Sequence, residues 1–304
     1  MMHYYNEIKN KLIDNEIYSK VKDYSKEKYK VSAYYEIGKI LYQAGSEYGK
    51  DIIGKYSKKL MIDVDKKYNR STLFRIRQFY IIFSDEKVAP MARQLSWSHY
   101  VELLPLKDIN IILYYINQCI NFNLTRNELR QKIRNNEYER LDETTKLKLI
   151  NKEETEVKDL IKNPILIKNS NGYEIISEKI LQRLILEDIP TFLKELGTGF
   201  TFIENEYKIR LGSIYNYIDL LLYNIKYKCY VVVELKITEL KKEHIGQIQT
   251  YMNYIDKNIK TYEEDKTIGI IILKKNDKYI MEYCSDERII TKEYELVWYN
   301  INRK

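Results

Sequence analysis

The sequence predicts an α+β chain of two domains: an all-helical one, then an α/β domain with a mixed sheet flanked by helices. Three observations carry this. Apolar residues recur at helical spacing from about residue 4 to 140, interrupted by capping residues. Between Tyr215 and Tyr254 the pattern changes to strand, short turn, strand and helix. The charge also divides. Residues 1–150 hold 27 Lys and Arg against 19 Asp and Glu, which leaves 24 against 25 of the chain's 51 and 44 for the remainder. The excess positive charge therefore lies wholly in the first half, as in a polyanion-binding unit or a solvated helical face.

In chain order, Tyr34, Ile37, Ile40 and Leu41 predict a helix ending near Gly45, and Ile52, Ile53, Tyr56, Leu60 and Val64 predict the next. Ser71 or Thr72 is placed to cap a helix through FRIRQFYIIF, which Asp85 to Pro90 terminates. WSHYVELL after Ser96 is a short helix. Asp108 opens INIILYYINQCI, and Thr125 with Glu128 forms a capping box for RNELRQKIRNNEYERL. Short helices with a basic one among them suit a winged-helix or helix-turn-helix-like module. Residues 55–100 carry ten basic groups, of which Lys66, Lys67, Arg70, Arg75 and Arg77 are the candidates for phosphate contact; Lys87 and Arg93 belong to the same run.

The expected domains are 1–145, a charged linker 146–163 that is otherwise an exposed helix, and 164–304. In the last, EIISEKILQRLILEDIPTFLKELG predicts a long amphipathic helix bent at Pro190 and closed by Gly197. FTFIENEYKIRLG, TIGIIILKKN and YIMEYC are expected strands.

Function is concentrated in YIDLLLY and CYVVVELKI. The second run is apolar on both faces, as in a strand at the centre of a sheet. Glu234 and Lys236 interrupt it two residues apart, so alternation turns both to one face, and Asp219 interrupts the partner run. Buried charges are costly unless paired or bound to a metal. Two readings meet that requirement. One is a structural ion pair. The other is a Mg²⁺ site, with Mn²⁺ able to substitute, built from Asp219, Glu234 and the Leu235 carbonyl. There Lys236 orients a water or stabilises developing negative charge. Gln247 and Tyr251, four apart, share one face of the following helix.

Asp219 followed by Glu234-Leu235-Lys236 resembles the D…(D/E)xK core of the PD-(D/E)xK nuclease superfamily, and Gln247 with Tyr251 resembles its QxxxY element. Ile218 stands where the superfamily's name has proline. The resemblance implies a restriction-endonuclease-like fold and a further acid on the preceding helix, for which Glu187 is the first candidate and Glu178 the second. In the first half, YEIGKILYQ, YGKDIIGKYSKKL, FRIRQFYIIF, LSWSHYVELL and TRNELRQKIRNNEYERL resemble the N-terminal domain of YhcG-like proteins (formerly DUF1016), whose members carry a C-terminal PD-(D/E)xK domain. KKYNRST and FNLTRNEL depart from that pattern. The implied activity is metal-dependent endonucleolytic hydrolysis of DNA, duplex DNA being the expected partner. The alternative is a catalytically silent nucleic-acid-binding or assembly protein. A homodimer stays open.

His99 is expected to be structural, since no second histidine or cysteine lies near it in sequence. The absence of a GxxxxGKS loop excludes a nucleotide cofactor of that type. Three cysteines without CxxC pairing, no signal core and no membrane-length apolar run place the chain in the cytoplasm, without a membrane partner.

Overall fold

The computed structural model describes residues 1–20, 25–49, 51–85, 94–284 and 286–298. Lys87, Arg93 and Pro90 lie outside them. The chain divides into two compact units, Met1–Tyr138 and Glu139–Lys304.

The first unit contains α1 (Met2–Ser19), α2 (Lys26–Tyr48), α3 (Ile52–Asp63), α4 (Arg70–Phe83), α5 (Trp97–Leu103), α6 (Ile109–Phe122) and α7 (Arg126–Arg134). Local chemistry sets several ends. Asn69, rather than Ser71 or Thr72, caps α4 by accepting the Thr72 N–H, Asp108 accepts that of Asn110, and Thr125 and Glu128 form the expected capping box. Helix α2 runs through Gly45 to Tyr48. The described residues of this unit hold helices and no strand, so the expected wing is not among them.

Helix α4 crosses α2 at Gly38, where a β-carbon would stand 2.5 Å from the Ile76 carbonyl oxygen and 2.7 Å from Tyr80 Cβ. Backbone cannot move aside as a side-chain tip can. Gly38→Ala is therefore expected to destabilise this unit by about 1–3 kcal/mol, despite a helix-propensity gain of up to about 1 kcal/mol. Thermal unfolding of the variant checks this; an unchanged or raised midpoint would contradict the close crossing.

The second unit begins with α8 (Glu143–Asn151), which straddles the start of the charged segment, and α9 (Val157–Leu160) within it. There follow β1 (Ile165–Lys168), α10 (Glu178–Glu187), α11 (Ile189–Leu196), β2 (Phe200–Leu211), β3 (Ile214–Asn224), β4 (Cys229–Leu235), α12 (Lys242–Asn258), β5 (Asp265–Leu273), α13 (Lys278–Cys284) and β6 (Ile289–Val297). They build one mixed six-stranded sheet in the order β1-β6-β5-β4-β3-β2. The hairpin strands β2, β3 and β4 are antiparallel; β4, β5, β6 and β1 are parallel.

The long amphipathic stretch is two helices rather than one. Asp188 ends α10 and caps α11 by accepting the Thr191 N–H, and Pro190 lies in the first turn of α11, where it has no N–H to leave unsatisfied. YIMEYC, expected as a strand, is helical. A six-residue apolar run has no periodicity to separate the two states, and the Asp277 carboxylate accepts the N–H groups of Tyr279 and Ile280 at the helix start. The strand in that region is the more polar IITKEYELV.

Alternation along β4 divides the core. Val231, Val233 and Leu235 join Leu181, Leu184 and Leu196 of α10 and α11 on one face. Val232 joins Ile248, Met252 and Ile255 of α12 on the other. Under α11, Arg140 Nη1 donates to Glu195 at 2.6 Å with both side chains under a tenth exposed, and the Leu166 N–H donates to the same carboxylate. With Arg140 Nη2 on the other oxygen at 3.3 Å, three donors satisfy a carboxylate that would otherwise be costly to bury.

Candidate active site

Strand β4 carries Glu234 into the centre of the sheet, where it is 2% exposed. Strand β3 pairs antiparallel with β4 from Asn224↔Cys229 to Leu220↔Val233. Continuing that register by one residue sets Asp219 opposite Glu234, where side chains of neighbouring strands lie within roughly 5 Å. Main-chain pairing stops there, and the Asp219 side chain takes over: its Oδ2 accepts the Leu235 N–H at 2.8 Å. Lys236 follows the last residue of β4 and is anchored by its own N–H to the Ile272 carbonyl at 2.8 Å. Its Nζ donates to Glu234 Oε1 at 2.8 Å. The other carboxylate oxygen, Glu234 Oε2, is buried with no hydrogen-bond partner.

The electrostatics follow from this crowding. Burial first, then the neighbouring Asp219 charge, pushes the Glu234 carboxyl up to about 7, against the pull of Lys236. Burial also raises Asp219, partly offset by the Leu235 N–H and Lys236. Burial alone would lower the Lys236 ammonium; the hydrogen bond and charge of Glu234, with Glu178 and Asp219, outweigh it and leave the group raised. Burial and their own repulsion oppose ionising both carboxyls beside one ammonium, a penalty that a cation would relieve.

Helices complete the surroundings. Tyr251 is buried on α12, its hydroxyl accepts from Gln247 Nε2 at 3.1 Å, and it lies within the fields of Glu234, Asp219 and Lys236. Tyr251 thus lies on the carboxylate side of α12, with the half-buried Gln247 hydrogen-bonded to it. On α10, Gln182 Nε2 donates to the Asp219 carbonyl at 3.1 Å, and Glu178, one turn earlier on the same face, has its carboxylate 3.6 Å from Lys236 Nζ. Glu187 does not join them. It is nine residues from Glu178, hence on the opposite face of the helix, and accepts from Asn171. The second candidate acid, not the first, stands beside the site. Sequence reasoning missed Gln182; its signal was the i,i+4 spacing from Glu178.

A divalent ion fits what is present: an unpartnered buried carboxylate oxygen, a second acid opposite it, and the Leu235 backbone alongside. Among the described residues no three acidic, histidine or cysteine side chains close on one point as a preformed cage.

In the helical unit, Lys66, Arg70 and Arg75 are exposed. Lys67 is paired with Glu16. Arg77 is half-buried, its guanidinium 5.7 Å from the Tyr42 ring centroid, so it packs rather than projects. His99 is tied at both nitrogens, Nδ1 to Ser96 Oγ at 2.7 Å and Nε2 to the Leu124 carbonyl at 2.9 Å. A carbonyl only accepts, so Nε2 carries the proton and the ring is a brace. Among the described residues no helix is long and apolar enough to cross a membrane.

Residues 10–140 match the DUF1016 N-terminal domain and residues 158–301 match the YhcG PDDEXK nuclease domain. The chain is 22% identical over 283 residues to the "Putative nuclease YhcG" of Escherichia coli (strain K12), covering 79% of this chain and 76% of that protein. Among solved structures, a repair endonuclease from Pyrococcus abyssi is 20% identical over 42% of this chain and 50% of its own, with a TM-score of 0.28. The structure described as an EndoMS-dsDNA2 complex is 18% identical over 42% and 49%, with the same TM-score. The match spans about half the length of each of those structures. The two domain matches, with the YhcG relative, show that the chain belongs to the YhcG-like family, in which a DUF1016 N-terminal domain precedes a PDDEXK nuclease domain.

Proposed function

We propose that the protein is a metal-dependent endonuclease that hydrolyses phosphodiester bonds of DNA. The observation that carries this is Glu234 Oε2, buried without a partner and opposite Asp219, in a family whose C-terminal domain is a nuclease domain. A merely structural ion pair would have both carboxylate oxygens satisfied or solvated. When bound, Mg²⁺ or Mn²⁺ supplies an activated water and neutralises charge on the scissile phosphate. Asp219, Glu234 and the Leu235 carbonyl would hold it, and Glu178, 3.6 Å from Lys236 Nζ, adds a further carboxylate at the edge of the site. Lys236, whose ammonium stands 2.8 Å from Glu234 Oε1, would donate to the negative charge developing on the phosphate. Gln247 and Tyr251 hold the substrate side of the cleft beside them, and Gln182 fixes the backbone of Asp219 so that the two acids stay opposed.

The test is cleavage of plasmid, linear, single-stranded and branched DNA by the full-length chain with Mg²⁺ or Mn²⁺ and with chelator. Metal-dependent nicking lost in chelator is expected. Binding without cleavage of any substrate under any ion would favour the silent nucleic-acid-binding reading.

The helical unit we assign to duplex-DNA binding through its exposed cations Lys66, Arg70 and Arg75. Each neutralised phosphate contributes a slope of roughly −0.9 in log K against log salt. Replacing Arg70 and Arg75 together by alanine is therefore expected to flatten the slope of the full-length chain by about one to two units. An unchanged slope would make the unit a protein-docking or dimerisation module.

A further inference from the structure

Strand β3 pairs with β4 only from Leu220 to Asn224, yet stays paired with β2 out to Ile214. Residues 206–211 and 214–219 therefore leave the sheet as a two-stranded arm, and Asp219 is the residue at which the arm departs. A two-stranded ribbon is marginal in water without backing. This one is backed by Tyr207, Ile209, Leu211 and Ile218, which join the apolar cluster under α12.

Its other side is of different chemistry. Lys208 lies directly across from Tyr217, and Arg210 from Tyr215. The tyrosines are 51% and 52% exposed, and Lys208 Nζ stands 3.9 Å from the Tyr215 ring centroid. From residue 207 to 217 the arm holds two cations and no acid; Glu206 lies at its base, where its charge acts on Asp219. Cation–aromatic pairs across strands stabilise a hairpin modestly, but that role does not require two rings half in water at the mouth of a carboxylate site.

We propose that this side of the arm binds a single-stranded nucleic-acid segment running away from the phosphate at Asp219 and Glu234. This rests on the nuclease reading and deepens it. Unpaired bases expose π-faces that stack on tyrosine, and their phosphates meet Lys208 and Arg210. The two rings are about 7 Å apart along the strand, a separation that suits successive unstacked bases. A duplex presents its phosphates but keeps its base faces stacked inside, which would leave the rings without a partner.

The experiment is fluorescence anisotropy of the full-length chain in chelator, where nothing is cut, with an oligodeoxynucleotide, the same sequence in RNA, and the DNA duplex. Tyr215→Ala with Tyr217→Ala is expected to weaken single-strand binding tenfold or more, stacking being worth about 1–3 kcal/mol per base, and to leave duplex binding within about twofold. The corresponding double phenylalanine variant keeps the rings and should bind like wild type. Lys208→Gln with Arg210→Gln, which leaves the rings in place should the alanine variant melt early, is expected to flatten the single-strand salt slope by about one unit, each phosphate contributing roughly 0.7. Wild-type single-strand affinity in the alanine variant, an equal loss for duplex, or an unchanged slope would overturn the proposal. Because binding is read without metal, a chain that binds as expected but never cleaves counts against the nuclease reading and not against the arm.

Discussion

Replacing Asp219 or Glu234 by alanine is expected to lower cleavage on the order of 10²-fold or more, since under the proposed mechanism each removal takes a ligand from the ion that would activate water. The fold should survive. Glu234 lies near the C-terminal end of the central strand β4 and Asp219 where β3 parts from it, and removing one acid relieves crowding between two buried carboxyls rather than creating it. Lys236→Ala is expected to cut the rate while metal affinity is largely kept, because its ammonium donates to Glu234 and is no ligand itself. Glu187→Ala should cleave like wild type, its carboxylate being engaged with Asn171, whereas Glu178→Ala should be slower. Steady-state cleavage and isothermal titration of Mg²⁺ on each variant are the measurements. A double acid variant that cleaves at the wild-type rate would end the catalytic assignment, and an inactive Glu187→Ala with an active Glu178→Ala would reverse the choice of helix acid.

The second large effect is on stability in the metal-free chain. Glu234 holds its proton up to about pH 7 when folded, because burial and Asp219 penalise its charge, against an ordinary value of 4.5. A group raised on folding contributes stability that is complete below its unfolded pKa and is lost as pH rises through the folded one. At about 1.4 kcal/mol per pH unit, the loss from this group alone is on the order of 3 kcal/mol between pH 4.5 and pH 8. Glu234→Gln cannot ionise. In chelator the variant should therefore gain on wild type by that order as pH rises from 5 to 8, read from urea unfolding at each pH. Divalent ion should restore wild-type stability at pH 8 by binding only the folded, deprotonated site, and should do far less for the variant. Parallel pH dependences of the two chains would show that Glu234 titrates normally and that the site has no need of a cation.

What the sequence by itself determined is the part of the site governed by local periodicity. Strand alternation puts Glu234 and Lys236 on one face whatever the rest of the chain does, and a four-residue spacing puts Gln247 beside Tyr251 on any helix. The short turn at Asn224–Lys228 makes β3 and β4 a hairpin, and in an antiparallel hairpin the positions 219 and 234 fall opposite each other. Caps written in the chain, Thr125 with Glu128 and Asp108, were legible for the same reason. What only the tertiary structure decided are the choices in which two local answers were equally good. Glu178 and Glu187 lie on opposite faces of one helix, and packing of Leu181, Leu184 and Ile185 on the sheet chose which face meets Asp219. YIMEYC was too short to show a period, whereas IITKEYELV became the strand because its backbone lies beside β5 and β1. The outward arm was equally hidden. Nothing in YNYIDLLLY marks where pairing with β4 stops; that point depends on β4 ending at Leu235 and on an aspartate side chain taking the N–H that a further strand residue would have used.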